Sequence, residues 1–171
     1  MVTRRQAREW AVMMLCECDQ NPPESLDAAI AAFWAQIEDM ERDSVAAKEY
    51  GVKVAFSIRS AKHSISLIEM KEFAEERMRG VWLGRDALDA KLEPFLQHWS
   101  LYRLGVVERN VLRLGAWEML EHPEIPAPIV INEAVDLSKY FSETQSGKFV
   151  NGVLDRFAKS QHEWQPPSKD A

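Results

Sequence analysis

The stretch VVERNVLRLGAWEML, residues 106–120, shows the pattern that decides the fold class. Its apolar residues recur at intervals of three and four, which places them on one face of an α-helix. The residues expected on the buried side are Val107, Val111, Leu114, Ala116 or Trp117, and Met119 or Leu120. The segment is therefore predicted to be an amphipathic helix that packs against a core.

The same period recurs in both directions, between short polar or proline-rich loops. Helices are predicted from about residue 4, from Ser25, from about residue 71 with Phe73 on its buried face, from about Arg85, and over 129–141 and 148–158. Residues 41–70 are also predicted to be helical, although VKVAFSI at 52–58 could mimic a strand. Gly84 is expected to permit close packing or a helix end, and Pro94 predicts a kink or a boundary. The chain is predicted to be all-α, with short loops that favour antiparallel helix packing.

Length and composition narrow the class further. A chain of 171 residues that is 46% hydrophobic can bury a real core. No apolar run approaches the roughly 20 residues that cross a bilayer. Cys16 and Cys18 would point to different faces of a helix, and no clustered His completes a metal site. We expect two reduced thiols in a cytoplasmic protein, and no metal.

Signatures of catalysis are missing from the sequence. It contains neither a G-x-G-x-x-G nor a Walker loop to hold a nucleotide, and no nucleophile elbow. The four histidines are scattered, without metal-ligand spacing. Glu133 and Asp136 are interpreted as a solvated helix face. An enzyme is therefore the weaker class, with no catalytic residue and no cofactor predicted.

The opening TRRQARE, residues 3–9, is unusual in a chain of net charge −6. Thr3 and Gln6 fit a capping box that starts a helix. Arg4, Arg5 and Arg8 then project from one side of it, opposite the apolar stripe, and are expected to lie in water. Each cation at the positive end of the helix dipole should cost about 0.3–1 kcal/mol.

Two interpretations of these arginines are open from the residues alone. They could form a solvated face, partly neutralised by an Arg5–Glu9 pair, or a phosphate site, with arginine suited to stacking on RNA bases. The net acidity argues against broad nucleic-acid affinity but not against a local site. Lys148 and Phe149, after a polar loop, form a second candidate surface, although core packing is the ordinary explanation for Phe149.

Several long motifs occur together in a fixed order. They are R-R-x-A-R-E near the N-terminus, WSLYRLGVVERNVLRLGAWEML, INEAVDLSKYF and S-x-KFVNGVLD. In these motifs the chain resembles the NusB family of transcription antitermination factors, over the N-terminal helix and from about Lys71 to Ala158. The resemblance implies one helical domain over 1–160 made of two packed helical subdomains. These span about 1–84, with an insertion near 42–70, and about 85–160, and 161–171 is expected to be a disordered tail.

The resemblance also implies a function. It is non-catalytic binding of the boxA element of nascent RNA, together with the small-subunit ribosomal protein NusE. That complex joins the elongating RNA polymerase and promotes processive transcription, notably of ribosomal RNA operons, in the cytoplasm and away from membranes. The RNA side implied by the family motifs is Arg4, Arg5, Arg8, Gln145, Lys148 and Phe149. Glu108 falls at a position of the partner-protein contact.

The chain departs from the family pattern at two positions and leaves two other functions to weigh. Cys16 stands where a tyrosine is frequent, and Arg77 replaces an aliphatic residue.

A related helical domain precedes the catalytic domain of some 5-methylcytosine RNA methyltransferases, but this chain is expected to be too short for that second domain. A homodimer or interaction-only protein that hides the arginine face is the other alternative.

Overall fold

The structure, a computed structural model, describes residues 3–42, 65–97, 100–142 and 146–161. Every regular element in these ranges is helical. The six α-helices are α1 (Arg4–Gln20), α2 (Leu26–Arg42), α3 (Ile65–Leu92), α4 (Val106–Glu121), α5 (Ala127–Phe141) and α6 (Ser146–Ser160). Short 3-10 turns span Glu93–Phe95 and Leu101–Arg103. The all-α prediction is confirmed.

Helix α1 begins with the predicted capping box. The Gln6 backbone N–H donates to Thr3 Oγ1 at 3.3 Å, and the Thr3 backbone N–H donates to Gln6 Oε1 at 3.0 Å. Each side chain thereby satisfies a backbone donor that would otherwise lack a partner. The helix ends at Gln20, just before the Pro22-Pro23 pair. The cap is what places the arginines of the first turns on a regular helix.

Helix α3 differs from the prediction. It is one continuous helix from Ile65 to Leu92. The separate helix expected from about Arg85 is therefore wrong, whereas the described residues from Ile65 onward are helical as predicted. A Cβ added to Gly84 would meet no atom within 4 Å, so no close packing occurs there. A single glycine costs a helix only about 1 kcal/mol, which a long packed helix tolerates. The predicted boundary at Pro94 is confirmed, since a 3-10 turn follows α3 there.

The chain divides into two compact units, Met1–Leu83 and Gly84–Ala171. Aromatic side chains lie in the core of the first unit. Trp10 meets Trp34 edge to face with ring centroids 5.3 Å apart, and Trp34 Nε1 donates to Glu75 Oε1 at 2.8 Å. Met78 of α3 is fully buried in the same unit. The segment VKVAFSI, predicted to be helical, and most of the predicted insertion near 42–70 lie outside the described residues.

The second unit is built from α4, α5 and α6, which pack against one another. A Cβ on Gly115 of α4 would lie 2.7 Å from Leu154 Cδ1 of α6, so the two helices approach closely at that glycine. Phe95 packs edge to face against Phe157, with centroids 5.9 Å apart. Residues 162–171 of the predicted disordered tail lie outside the described residues.

No helix in the described ranges combines the length and the apolarity needed to span a membrane.

Candidate nucleic-acid interface

The first turns of α1 carry the predicted cationic surface. Arg4 is exposed and Arg5 is half-buried, and the first turn of α1 contains no acidic residue. Arg5 Nε lies 3.3 Å from Glu9 Oε1, so the predicted pair at i, i+4 is confirmed. The positive end of the helix dipole is therefore next to Arg4 without a carboxylate in the same turn.

Arg8 corrects the expectation that all three guanidinium groups lie in water. It is buried, with 5% of its surface exposed. The reason is helix α3, whose Phe73 ring lies beside α1. Arg8 Cζ is 5.3 Å from the centroid of that ring, and Arg4 Cζ is 5.8 Å from it. A guanidinium is planar and weakly hydrated, so it packs on an aromatic face more readily than an ammonium does.

A third guanidinium belongs to the same cluster. Arg77 Cζ lies 3.2 Å from the Phe73 ring centroid, and Arg77 is 2% exposed. Its Nη1 lies 2.9 Å from Glu76 Oε2 and also donates to the Phe73 carbonyl oxygen at 3.4 Å. We refer to Arg4, Arg8 and Arg77 around Phe73 as the arginine cluster.

Sequence patterns missed two members of this cluster. Phe73 was predicted to face the core but is half-buried. Arg77 stood out only as a departure from the family pattern, although it lies four residues after Phe73, a spacing that brings two side chains together on a helix. The helix register is regular around it, since Ala74 and Met78 are fully buried.

The second predicted surface lies at the start of α6, in the other unit. Lys148 is exposed and Phe149 is half-buried. The side chains that fill the core from this helix are instead Val150, Val153, Leu154, Phe157 and Ala158. Phe149 is therefore not among the fully buried residues of this helix. Gln145 lies outside the described residues.

Glu108 makes a hydrogen bond within the fold and is also the residue predicted to contact the partner protein. It is half-buried in the first turn of α4, where a carboxylate stabilises the helix dipole. Its Oε1 accepts a hydrogen bond from Ser142 Oγ at 2.7 Å. A substitution of Glu108 that removes its acceptor oxygen therefore breaks an internal hydrogen bond as well as changing a surface charge.

The remaining reactive groups do not form a centre in the described ranges. Burial, together with Glu17 and Asp19, raises the pKa of the Cys18 thiol to about 11, so this thiol stays neutral at physiological pH. Cys16 is half-buried. Of the residues that the structure describes, no three His, Cys, Asp or Glu are grouped to hold a metal ion. Asp136 is exposed as predicted for a solvated face, whereas Glu133 is half-buried.

Comparison with known proteins agrees with this architecture. Residues 5–159 match the sequence profile of the NusB family. The transcription antitermination protein NusB of Anaeromyxobacter dehalogenans is 36% identical over 159 residues, which cover 92% of each chain. The structure of T. maritima NusB superimposes with a TM-score of 0.63 at 30% identity, covering 93% of this chain and 92% of that one.

A further solved structure contains the antitermination factors NusB and NusE in complex with dsRNA. The matching chain has a TM-score of 0.64 at 26% identity, and the match covers 91% of this chain and 96% of that one. The family profile spans both units and all six described helices. This chain belongs to the NusB family.

Proposed function

We propose that this protein is a non-catalytic RNA-binding antitermination factor. It binds boxA-like single-stranded RNA together with a NusE-type ribosomal protein, and through that assembly acts on the elongating RNA polymerase, notably on ribosomal RNA operons. Membership of the NusB family supports this, as does the structural likeness to a NusB chain solved with NusE and dsRNA.

The observation that carries the proposal is the gathering of Arg4 and Arg8 at one ring near the start of α1. Like charges beside a positive helix end repel one another and the dipole. A bound phosphate reverses that balance, because it accepts charge-assisted hydrogen bonds from guanidinium groups and is attracted by the helix end. The arrangement therefore favours an anionic ligand over an empty, solvated face.

The predicted residues have different roles in RNA binding. Arg4 is the most accessible of the three N-terminal arginines and makes the direct phosphate contact. Arg5 shares its charge with Glu9, and Arg8 has only 5% of its surface exposed. Lys148 and Phe149 supply a second phosphate contact and a stacking surface. Gln145 is assigned to the RNA side by the family resemblance alone.

The test is a fluorescence-anisotropy titration of Arg4→Ala at two salt concentrations. The probes are boxA-like single-stranded RNA, a scrambled RNA and an RNA duplex, each with and without the NusE-type partner. Losing one phosphate contact should weaken binding to single strands and make the slope of log K against log salt less negative by about 0.7. Thermal melting should not fall, since Arg4 is exposed and its removal takes a cation away from the positive end of the helix dipole.

The matched control is Arg103→Ala, which removes an exposed arginine from the second unit. Equal RNA binding by the two variants would show that the start of α1 is not an RNA surface. Preference for the duplex would instead reject a single-stranded ligand. Arg8 is tested by Arg8→Lys, because Arg8→Ala would also remove buried packing and lower the stability.

The second surface and the partner contact need their own variants. Lys148→Ala should weaken RNA binding without changing the melting temperature. Phe149→Leu keeps most of the apolar packing while removing the stacking surface. Glu108→Gln removes the charge and keeps an acceptor for Ser142, so it should weaken the NusE-type partner and leave RNA binding unchanged. If both interactions weaken together, Glu108 is acting through the fold.

A further inference from the structure

We propose that Tyr102 is an anchor residue for the partner protein that Glu108 contacts, and that Gly105 positions the Glu108 carboxylate for the same contact. The partner packs apolar side chains around the Tyr102 ring and offers a basic side chain to Glu108. This inference rests on the proposed function, which assigns Glu108 to the NusE-type partner.

Tyr102 is an aromatic residue that the fold leaves open. It has 69% of its surface exposed, although its neighbour Leu101 is fully buried. Val106 and Val107, which begin α4 a few residues later, are only half-buried. Most of the Tyr102 ring therefore gains nothing from folding. Tyrosines are enriched among the residues that contribute most to binding at protein–protein interfaces.

The backbone that carries Tyr102 is held in place on both sides. Leu101 anchors the 3-10 turn in the core, and the Leu104 N–H donates to the Leu101 carbonyl oxygen at 3.2 Å. Arg109 of α4 donates from Nη1 to the carbonyl oxygens of Tyr102 and Leu104, at 3.5 and 3.4 Å. Because a tyrosine has only two side-chain torsions, ordering it on a fixed backbone opposes binding only weakly.

Gly105 lies between Tyr102 and Glu108 in the chain and leaves room for the carboxylate. Its φ of −55° is accessible to other residues, so the backbone does not require a glycine there. A Cβ added at this position would collide with Glu108 Oε2, whereas Oε1 accepts the hydrogen bond from Ser142. The glycine therefore allows the carboxylate to lie against the junction between the Tyr102 turn and α4.

This surface fits a protein better than it fits RNA. The Glu108 carboxylate repels phosphates, whereas it can accept a charge-assisted hydrogen bond from a basic side chain. The half-buried valines at the start of α4 add apolar area beside that charge. Arg103 of the same turn is exposed, so RNA binding is measured as the competing outcome.

The experiment is a calorimetric titration of full-chain variants with a purified NusE-type ribosomal protein. Tyr102→Ala should weaken binding about ten- to thirtyfold, as expected when an aromatic anchor is truncated. Tyr102→Phe should retain most of the affinity, and the melting temperature should stay unchanged because the ring is exposed. Tyr140→Ala is the matched control, since it removes another exposed tyrosine of the second unit.

Gly105→Ala tests the position of the carboxylate without removing it. The added Cβ forces Glu108 Oε2 to move, so binding should weaken on the order of tenfold. In a Glu108→Gln background the same change should add little, because Gly105 acts through the carboxylate. Gly152→Ala is the matched control, because its Cβ would meet only Arg156 Nη1, at an ordinary contact distance of 3.9 Å.

The outcomes separate this inference from the proposed function. If Glu108→Gln weakens the partner while Tyr102→Ala and Gly105→Ala match their controls, the inference is overturned and the partner contact at Glu108 stands. If all three variants bind the partner like the wild type, the proposed partner surface itself is wrong. If Tyr102→Ala weakens the binding of boxA-like RNA in the absence of the partner, the ring belongs to an RNA surface instead.

Discussion

Arg77 in the first unit and Arg113 in the second are equally buried, each at 2% exposure, yet their surroundings differ. Arg113 forms a two-pronged pair with Asp89, through Nε and Nη2 at 2.7 Å each, and its Nη1 donates to Asn110 Oδ1 at 3.2 Å. Asp89 is itself buried. Arg77 instead stacks on an aromatic ring and pairs with the largely solvated Glu76.

The difference shows that burial alone does not define what an arginine does. The charge of Arg113 is cancelled where it lies, by a buried carboxylate with matching geometry, so it serves the fold. Arg77 pairs with a carboxylate that is 54% exposed and stacks on the Phe73 ring, so this pair is weaker than the buried pair of Arg113. The predictions below test this contrast, beginning with the largest expected effect.

Arg113→Met should lower the free energy of unfolding by about 3–5 kcal/mol, because it leaves the Asp89 carboxylate buried without its cation. Urea denaturation measures this directly. The double variant Asp89→Leu with Arg113→Met should recover part of the loss, since no charge is then buried alone. A loss below about 1 kcal/mol for the single variant would contradict the structural role of Arg113.

Gly115→Ala tests how tightly α4, the helix that also carries Arg113, packs against α6. Its Cβ would lie 2.7 Å from Leu154 Cδ1, so overpacking should cost about 1–3 kcal/mol of unfolding free energy. Gly84→Ala is the control, because its Cβ meets no atom within 4 Å and alanine favours a helix by about 1 kcal/mol. Gly115→Ala should lower the melting temperature, and Gly84→Ala should raise it. A neutral Gly115→Ala would mean that α4 and α6 can separate at this point.

Thr3→Ala tests the support beneath the arginine cluster. Loss of the capping box should cost about 1 kcal/mol, and Thr3→Ser should restore it. Chemical denaturation gives the stability, and RNA titration of the same samples shows whether fraying of the first turn disturbs Arg4. If Thr3→Ala leaves the stability unchanged, the cap is not what holds the start of α1.

Arg77→Met should lower the free energy of unfolding by less than Arg113→Met does. Methionine fills a similar volume, and the Glu76 carboxylate has 54% of its side chain exposed, so water can solvate it once Arg77 is removed. Urea denaturation of both variants under one condition provides the comparison. Equal losses of unfolding free energy would show that the two buried arginines contribute equally to stability.

Local signals account for what was predicted correctly. The capping box at Thr3 and Gln6 and the boundary at Pro94 each depend on residues within a few positions of one another, and the structure contains both. Helix α3 escaped prediction because the small penalty of Gly84 is outweighed by packing of the flanking turns. The candidate site was found only in part, since Arg4 and Lys148 are exposed as surface residues should be, whereas Arg8 is buried.

By itself, the sequence determined that the chain is helical, where most helices begin and end, and that cations gather at the start of α1. These properties follow from spacing, caps and prolines, which act over one or two turns. Only the tertiary structure decided that Phe73 covers Arg8 and that Arg77 joins Arg4 at the same ring. Periodicity defines which face of a helix is apolar, but the neighbour that meets a given side chain depends on how distant segments pack together.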